Sequence, residues 1–180
     1  MKLKIGDNCP NIVINTIKGK ELAVPNTNSN FLHLQFRRFA GCPVCNFHLH
    51  NLAKRNQDIR AAGISEIIFF HSSKEEMLKY QDHIPFDCVA DPKKQFYKMF
   101  GVETSKRSIL HPSVLLNGTL NVLRTRKLYN KAENGIFGLP ADFMIDSNGK
   151  IIRAHYASHA GDNWSYEDLI EIINSEDLQR

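Results

Sequence analysis

Long hydrophobic runs are missing from this chain of 180 residues, and apolar stretches such as IIFF at 67–70 are far too short to cross a bilayer. The opening MKLKIGDNCP lacks the apolar core of a secretion signal. Cysteine is scarce too. Four thiols (Cys9, Cys42, Cys45, Cys88) are too few for a secreted disulfide scaffold, and in a reducing compartment a close pair serves catalysis or metal binding more often than structure. There is no block of like charge and no aromatic residue woven into a basic run, so the net charge of +4 reads as solvated surface rather than a nucleic-acid footprint. Repeats, low-complexity tracts and linkers are absent as well. These absences lead us to expect a soluble cytoplasmic protein with no nucleic-acid or membrane partner.

Hydrophobic residues at 42% and charged residues at 23% are ordinary for a globular chain, and 180 residues suffice for one domain, 1–180, with a self-sufficient core. NIVINTIKGKELAV alternates around a Lys-Gly-Lys turn and predicts a β-hairpin. NFLHLQF predicts a strand. From Pro43, Leu49, Leu52 and Ile59 recur at helical spacing until Gly63, predicting one helix of about five turns. ISEIIFFH reads as a buried strand, SSKEEMLKYQDH as a serine-capped helix, IPFDCVAD as a strand and PKKQFYKMFG as a helix from Pro92 to Gly101. Residues 103–136 carry little pattern beyond SVLLNGTLNVL. LPADFMIDSNGKIIRAHYA predicts two strands around Asn148-Gly149, and SYEDLIEIINS a helix opened by Ser165 and Asp168. The order implies an α/β sandwich, a mixed sheet between helices.

The chemistry concentrates in FRRFAGCPVCNFHLH, residues 36–50. A helix starting at Pro43 places Cys42 at its N-cap, where free N–H groups and the helix dipole favour a thiolate; Arg37 and Arg38 add charge nearby. Cys42 is therefore expected to be exposed and of low pKa, and Cys45, on the face of Leu49 and Leu52, to be the more buried sulfur. Such a pair can attack a disulfide with one thiol and release it with the other. Cys42, Cys45, His48 and His50 suggest a metal site at first sight. His48 and His50 point roughly 200° apart on a helix, however, and no second C-x-x-C exists to complete a zinc ribbon. A pair of inert core cysteines is the plain alternative. Cys9 and Cys88 read as small hydrophobes, His111, His155 and His159 as ordinary histidines, and Trp164 as a packing anchor.

The whole chain resembles the peroxiredoxin-like (AhpC/TSA, redoxin) branch of the thioredoxin superfamily. IGDNCPNIVI is similar to its N-terminal hairpin and FRRFAGCPVCNFHL to its active-site turn. FFHSSKEEMLKY and FDCVADPKKQFYKMFGV resemble its middle strands and helices, and GLPADFMIDSNGKI the strand entered through the superfamily's cis-proline. The resemblance implies a peroxiredoxin-like thioredoxin fold, a central mixed sheet flanked by helices with an N-terminal β-hairpin extension. It also implies thiol redox chemistry with no cofactor beyond a redox-active Cys42–Cys45 disulfide, and no metal. Leu139 and a cis Pro140 would present a backbone edge to the substrate, with Pro43, Arg37 and Arg38 positioning the site.

Two mechanisms fit the resemblance. In a thioredoxin-like disulfide enzyme Cys42 attacks; in a peroxiredoxin the peroxidatic thiol maps onto Cys45, with Cys42 resolving. The peroxide-binding arginine has no counterpart at LPADF, and Gln35 stands about where a thioredoxin carries a buried acid, leaving His48 as the candidate proton acceptor. The expected partners are a thioredoxin or glutathione system as reductant and a peroxide or protein disulfide as substrate, for a monomer or homodimer. A binding module with a passive disulfide or metal clamp is the alternative from another class.

Overall fold

The computed structural model describes residues 2–25, 29–103 and 132–177. Strands β1 (Ile12–Asn15) and β2 (Glu21–Val24) form the expected antiparallel hairpin, with Ile12 opposite Val24. The central sheet holds β3 (Phe31–Phe36), β4 (Ile64–Phe70), β5 (Asp87–Ala90), β6 (Ala141–Asp146) and β7 (Ile151–Tyr156) in the order β5-β4-β3-β6-β7. β3, β4 and β5 run parallel, whereas β6 and β7 are antiparallel to their neighbours. The two types of connection explain this. The parallel strands are joined through helices, while β6 and β7 meet through a tight turn in which Asp146 accepts from the Asn148 and Lys150 N–H groups and Gly149 takes φ +79°.

The helical run after the dithiol is broken, contrary to expectation. Helix α1 (Pro43–Lys54) stops at Arg55 (φ −100°, ψ 12°), and a short α2 (Asn56–Ala61) follows. The shift in backbone angles at Arg55 lets both pieces bury an apolar stripe, with Leu49, Leu52 and Ile59 each at most 2% exposed. Helix α3 (Lys74–Gln81) is capped by Ser73, whose hydroxyl accepts from the Glu76 N–H at 3.3 Å.

Helix α4 (Gln95–Met99) starts later than Pro92. The Asp91 carboxylate accepts from the Gln95 and Phe96 N–H groups at 2.9 and 2.8 Å, and Lys94 takes the left-handed conformation at φ 55°, so the chain turns before the helix begins. Helix α5 (Tyr166–Asp177) carries the predicted reciprocal cap between Ser165 and Asp168.

The sheet divides the core. One face packs Val44, Cys45, Leu49 and Leu52 of α1 with Phe31, Ile68, Met144 and the α5 residues Leu169 and Ile173. The other packs Leu34, Phe36, Phe69, Phe143, Tyr97 and Phe100. Phe36 anchors this second face, stacked on Phe69 at 4.8 Å with Tyr97 edge-on at 5.1 Å. The dithiol lies where β3 runs into α1, at the carboxyl ends of the parallel strands, where open α/β sheets expose their reactive edge.

Candidate active site

Pro43 opens α1 as its first residue, where a missing N–H costs nothing, and Cys42 is the N-cap. The Cys42 sulfur accepts from the Cys45 N–H at 3.3 Å and from Nη1 of Arg38 at 3.7 Å. Burial alone would push this thiol up. The hydrogen bond with the Cys45 thiol, the Arg38 charge and the Cys45 and Val44 N–H groups outweigh it, and the pKa falls to about 7. Cys45 moves the other way. Burial, its hydrogen bond with Cys42 and the charge of Cys42 hold it well above the usual thiol value. Adjacent sulfurs are thus poised with opposite protonation preferences.

Side chains that the sequence did not single out brace this turn. Asn46 donates to the Ala40 and Cys42 carbonyls at 2.7 and 3.0 Å, and Gln81 of α3 donates to the Ala40 carbonyl and to the Asn46 side-chain oxygen. Ser72, just past β4, accepts from the Ala40 N–H at 2.9 Å. On the other face, the Tyr97 hydroxyl meets the Arg37 and Phe69 carbonyls, the latter at 2.9 Å. Helices α1, α3 and α4 and the segment after β4 therefore fix the loop that carries Cys42.

Beneath α1 the sheet holds a buried polar cluster. His33 and Gln35 on β3, Glu66 on β4 and Asp142 on β6 alternate with apolar neighbours and share the face that carries α1. Nε2 of His33 lies 3.1 Å from Asp142 and its Nδ1 2.9 Å from Glu66. Burial opposes a charged imidazole, yet the Glu66 and Asp142 carboxylates raise its pKa to about 9. Arg37 pairs with Asp142 at 2.6 Å and donates to the Gln35 side-chain oxygen at 2.5 Å, while Gln35 donates to Glu66. Two bases thus meet two carboxylates in the buried interior, the arrangement that buried charge requires. Burial pulls the Asp142 carboxyl upward, but Arg37 and His33 hold it well below the usual range.

Comparison with known proteins starts from the sequence model of the AhpC/TSA antioxidant enzyme family, which matches residues 51–159, more than half of the chain. The chain belongs to the AhpC/TSA antioxidant enzyme family. Its matched span begins just after the dithiol. No curated protein matches the sequence. Among solved structures the chain is similar to the peroxidoxin BcpB from Mycobacterium tuberculosis, at 13% identity over 99% of both chains with a TM-score of 0.68. It is similar to a reduced 2-Cys peroxiredoxin of Plasmodium vivax, at 14% identity over 98% of this chain and 83% of that one, TM-score 0.70. A putative thiol:disulfide interchange protein DsbE from Chlorobium tepidum aligns at 18% identity over 97% and 98%, TM-score 0.62. The fold is the thioredoxin fold of the peroxiredoxins, and the family is one of antioxidant enzymes.

In this AhpC/TSA member the structure rearranges several expectations. Cys42 is not exposed: it has 0% accessible surface, and Arg38 lies against its sulfur while donating to the Ile136 carbonyl. The two arginines part company. Arg38 stays with Cys42, and Arg37, fully buried, turns into the sheet toward Asp142, away from the sulfurs.

His48, the proton acceptor expected from the sequence, is held as a weak base. Its Nε2 accepts from Arg37 at 3.3 Å, and burial with the Arg37 charge lowers its pKa to about 3. Pro140 is not cis; the cis peptide among the described residues is Val24–Pro25. The trans form of Leu139–Pro140 is the lower-energy isomer, and it still lets the Leu139 N–H reach the Glu103 carbonyl and the Pro140 carbonyl accept from the Ala157 N–H, both at 3.1 Å.

Cys9 and Cys88 are buried free thiols, each pushed up to about 12 by burial. His155 bonds Asp162 at 2.8 Å, and Trp164 lies between the rings of His155 and His33. His111 falls outside the described residues. Among the described residues no three His, Cys, Asp or Glu side chains are gathered as metal ligands would be, and no helix is long and apolar enough to cross a membrane.

Proposed function

We propose that the protein is a thiol–disulfide oxidoreductase in which Cys42 attacks and Cys45 resolves. The observation that carries this reading is the asymmetry of the pair: Cys42 is lowered to about 7 under Arg38 and the helix N–H groups, and Cys45 is raised. The Cys42 thiolate attacks one sulfur of the substrate disulfide, and the other sulfur leaves as a thiolate that takes up a proton. Once Cys42 is bonded to substrate it no longer carries charge or shares a hydrogen bond with Cys45, so two of the causes that keep Cys45 protonated vanish while the Arg38 charge remains. Cys45 then gives up its proton to the departing thiolate and attacks Cys42. The result is a Cys42–Cys45 disulfide and two substrate thiols, two electrons having passed from the dithiol to the substrate.

Because Cys42 is covered, substrate enters by opening the contact between Arg38 and the Ile136 carbonyl, which lies in an exposed segment. A thioredoxin- or glutathione-type thiol reductant returns the pair to the dithiol, without a bound cofactor, in a reducing compartment such as the cytoplasm.

The family's antioxidant description favours a second reading, a thiol peroxidase. Here Cys45 would take one peroxide oxygen as a sulfenic acid while the other leaves as water or an alcohol, and Cys42 would then condense with the sulfenic acid, forming the disulfide and releasing water. Rapid mixing of the reduced protein with a disulfide and separately with hydrogen peroxide discriminates the readings. Fast oxidation by the disulfide supports the reductase and fast oxidation by peroxide the peroxidase. Reaction with both only at the rate of an ordinary thiol points to a binding module.

A further inference from the structure

Past the end of β4, on the sheet face that carries α4, lies a cavity of about 390 Å³ lined by His71, Lys94, Tyr97, Lys98, Val102, Glu103 and Gly138. Its most telling feature is His71. The imidazole is 1% exposed, and both ring nitrogens lack a hydrogen-bond partner among the described residues. Burial, reinforced by the nearby Lys94 charge, lowers its pKa to about 4. A neutral imidazole carries one N–H donor, and a buried donor calls for an acceptor. Gly138 leaves the ring open: a methyl group there would stand 3.1 Å from Nε2 of His71.

The charges around the cavity are unevenly committed. Glu103 pairs with Lys2 at 3.1 Å, and the Asp91 carboxylate is spent on the first N–H groups of α4. Lys94 donates to the Asn134 carbonyl at 3.0 Å, whereas the exposed Lys98 side chain has no partner among the described residues. Uncommitted positive charge at the rim, an unmet donor inside and apolar wall from Val102 and the Tyr97 ring describe a receptor for an anion with a short carbon skeleton.

We propose that this cavity binds a small organic carboxylate, whose charged group meets Lys98 and Lys94 and accepts the His71 N–H. The cavity adjoins the dithiol loop, since the His71 N–H donates to the Arg38 carbonyl at 3.3 Å, but the proposal uses neither sulfur and holds whichever redox mechanism operates. Succinate, its neutral analogue succinamide and inorganic phosphate, each titrated into the nitrogen-15-labelled protein at constant ionic strength, test it by NMR. Succinate is expected to give saturable shifts of the His71 ring nitrogens and the α4 amides, and to bind about tenfold more tightly than succinamide or phosphate. Lys98→Gln, on an exposed helix surface, should weaken succinate about tenfold, and Lys98→Arg should restore it. Equal affinity for succinamide or phosphate, shifts that never saturate, or unchanged binding in Lys98→Gln would overturn the assignment.

Discussion

Nη1 of Arg38 lies 3.7 Å from the sulfur of Cys42, so the cation that tunes the thiol also roofs it. Removing the guanidinium should therefore weaken the thiolate. In Arg38→Gln the Cys42 pKa should rise by about 1 or more, because an opposite charge at this range has that weight. Thiolate absorbance against pH measures it. In the native protein alkylation of Cys42 should titrate with a midpoint of about 7, and in the variant the curve should move to higher pH.

Arg37 gives a contrasting expectation, since its charge is spent on Asp142 at 2.6 Å inside the sheet. Asp142→Ala strips Arg37 and His33 of their shared carboxylate and should destabilise the fold by about 3–5 kcal/mol, the usual cost of orphaning a buried charge. Urea unfolding reads this directly. A loss comparable to that of an exposed pair such as Arg55–Asp58 would contradict the picture of a tightly coupled cluster.

His33 makes the same cluster sensitive to alkali. Its folded pKa, about 9, lies above the ordinary imidazole value of 6.5. The stability this contributes is thus complete below about pH 6.5 and is lost as pH rises through about 9. Asp142 behaves in the opposite sense: its depressed pKa contributes stability that is present above the ordinary carboxylate range and lost in acid. Denaturation across the pH range should show a plateau between these limits. His33→Gln should flatten the alkaline limb while leaving the acid limb in place.

The framework was legible in the sequence where local chemistry dictates it. Pro43 after Cys42, the Asn148-Gly149 turn and the Ser165–Asp168 cap each fix an element boundary through backbone groups only a few residues apart. The buried cluster was not legible. His33, Glu66 and Asp142 come from strands far apart in the chain, and each looks like an ordinary polar residue until parallel and antiparallel pairing bring β3, β4 and β6 together. One signal was available: Arg37 and Gln35 stand on the same side of a strand whose remaining residues are mostly apolar, a position where a polar side chain must find partners. The orientation of Arg37 and the isomer of Pro140 depend on packing across the sheet, which motif resemblance does not encode.

Oxidation should join Cys42 and Cys45 and leave Cys9 and Cys88 free, because burial pushes each of the latter up to about 12 whereas Cys42 falls to about 7. Peptide mapping after blocking free thiols checks this. A bridge involving Cys9 or Cys88 would mean that the pair is not the redox centre.

Which sulfur attacks is the central claim, and intact-mass analysis of Cys45→Ser after exposure to a small disulfide tests it most directly, with Cys42→Ser as its companion. The account predicts a stable mixed disulfide on Cys42 in Cys45→Ser, since the nucleophile is intact and nothing remains to release it, and no adduct in Cys42→Ser. No adduct in Cys45→Ser, together with a sulfenic acid on Cys45 when Cys42→Ser meets hydrogen peroxide, would contradict it and make Cys45 the attacking thiol.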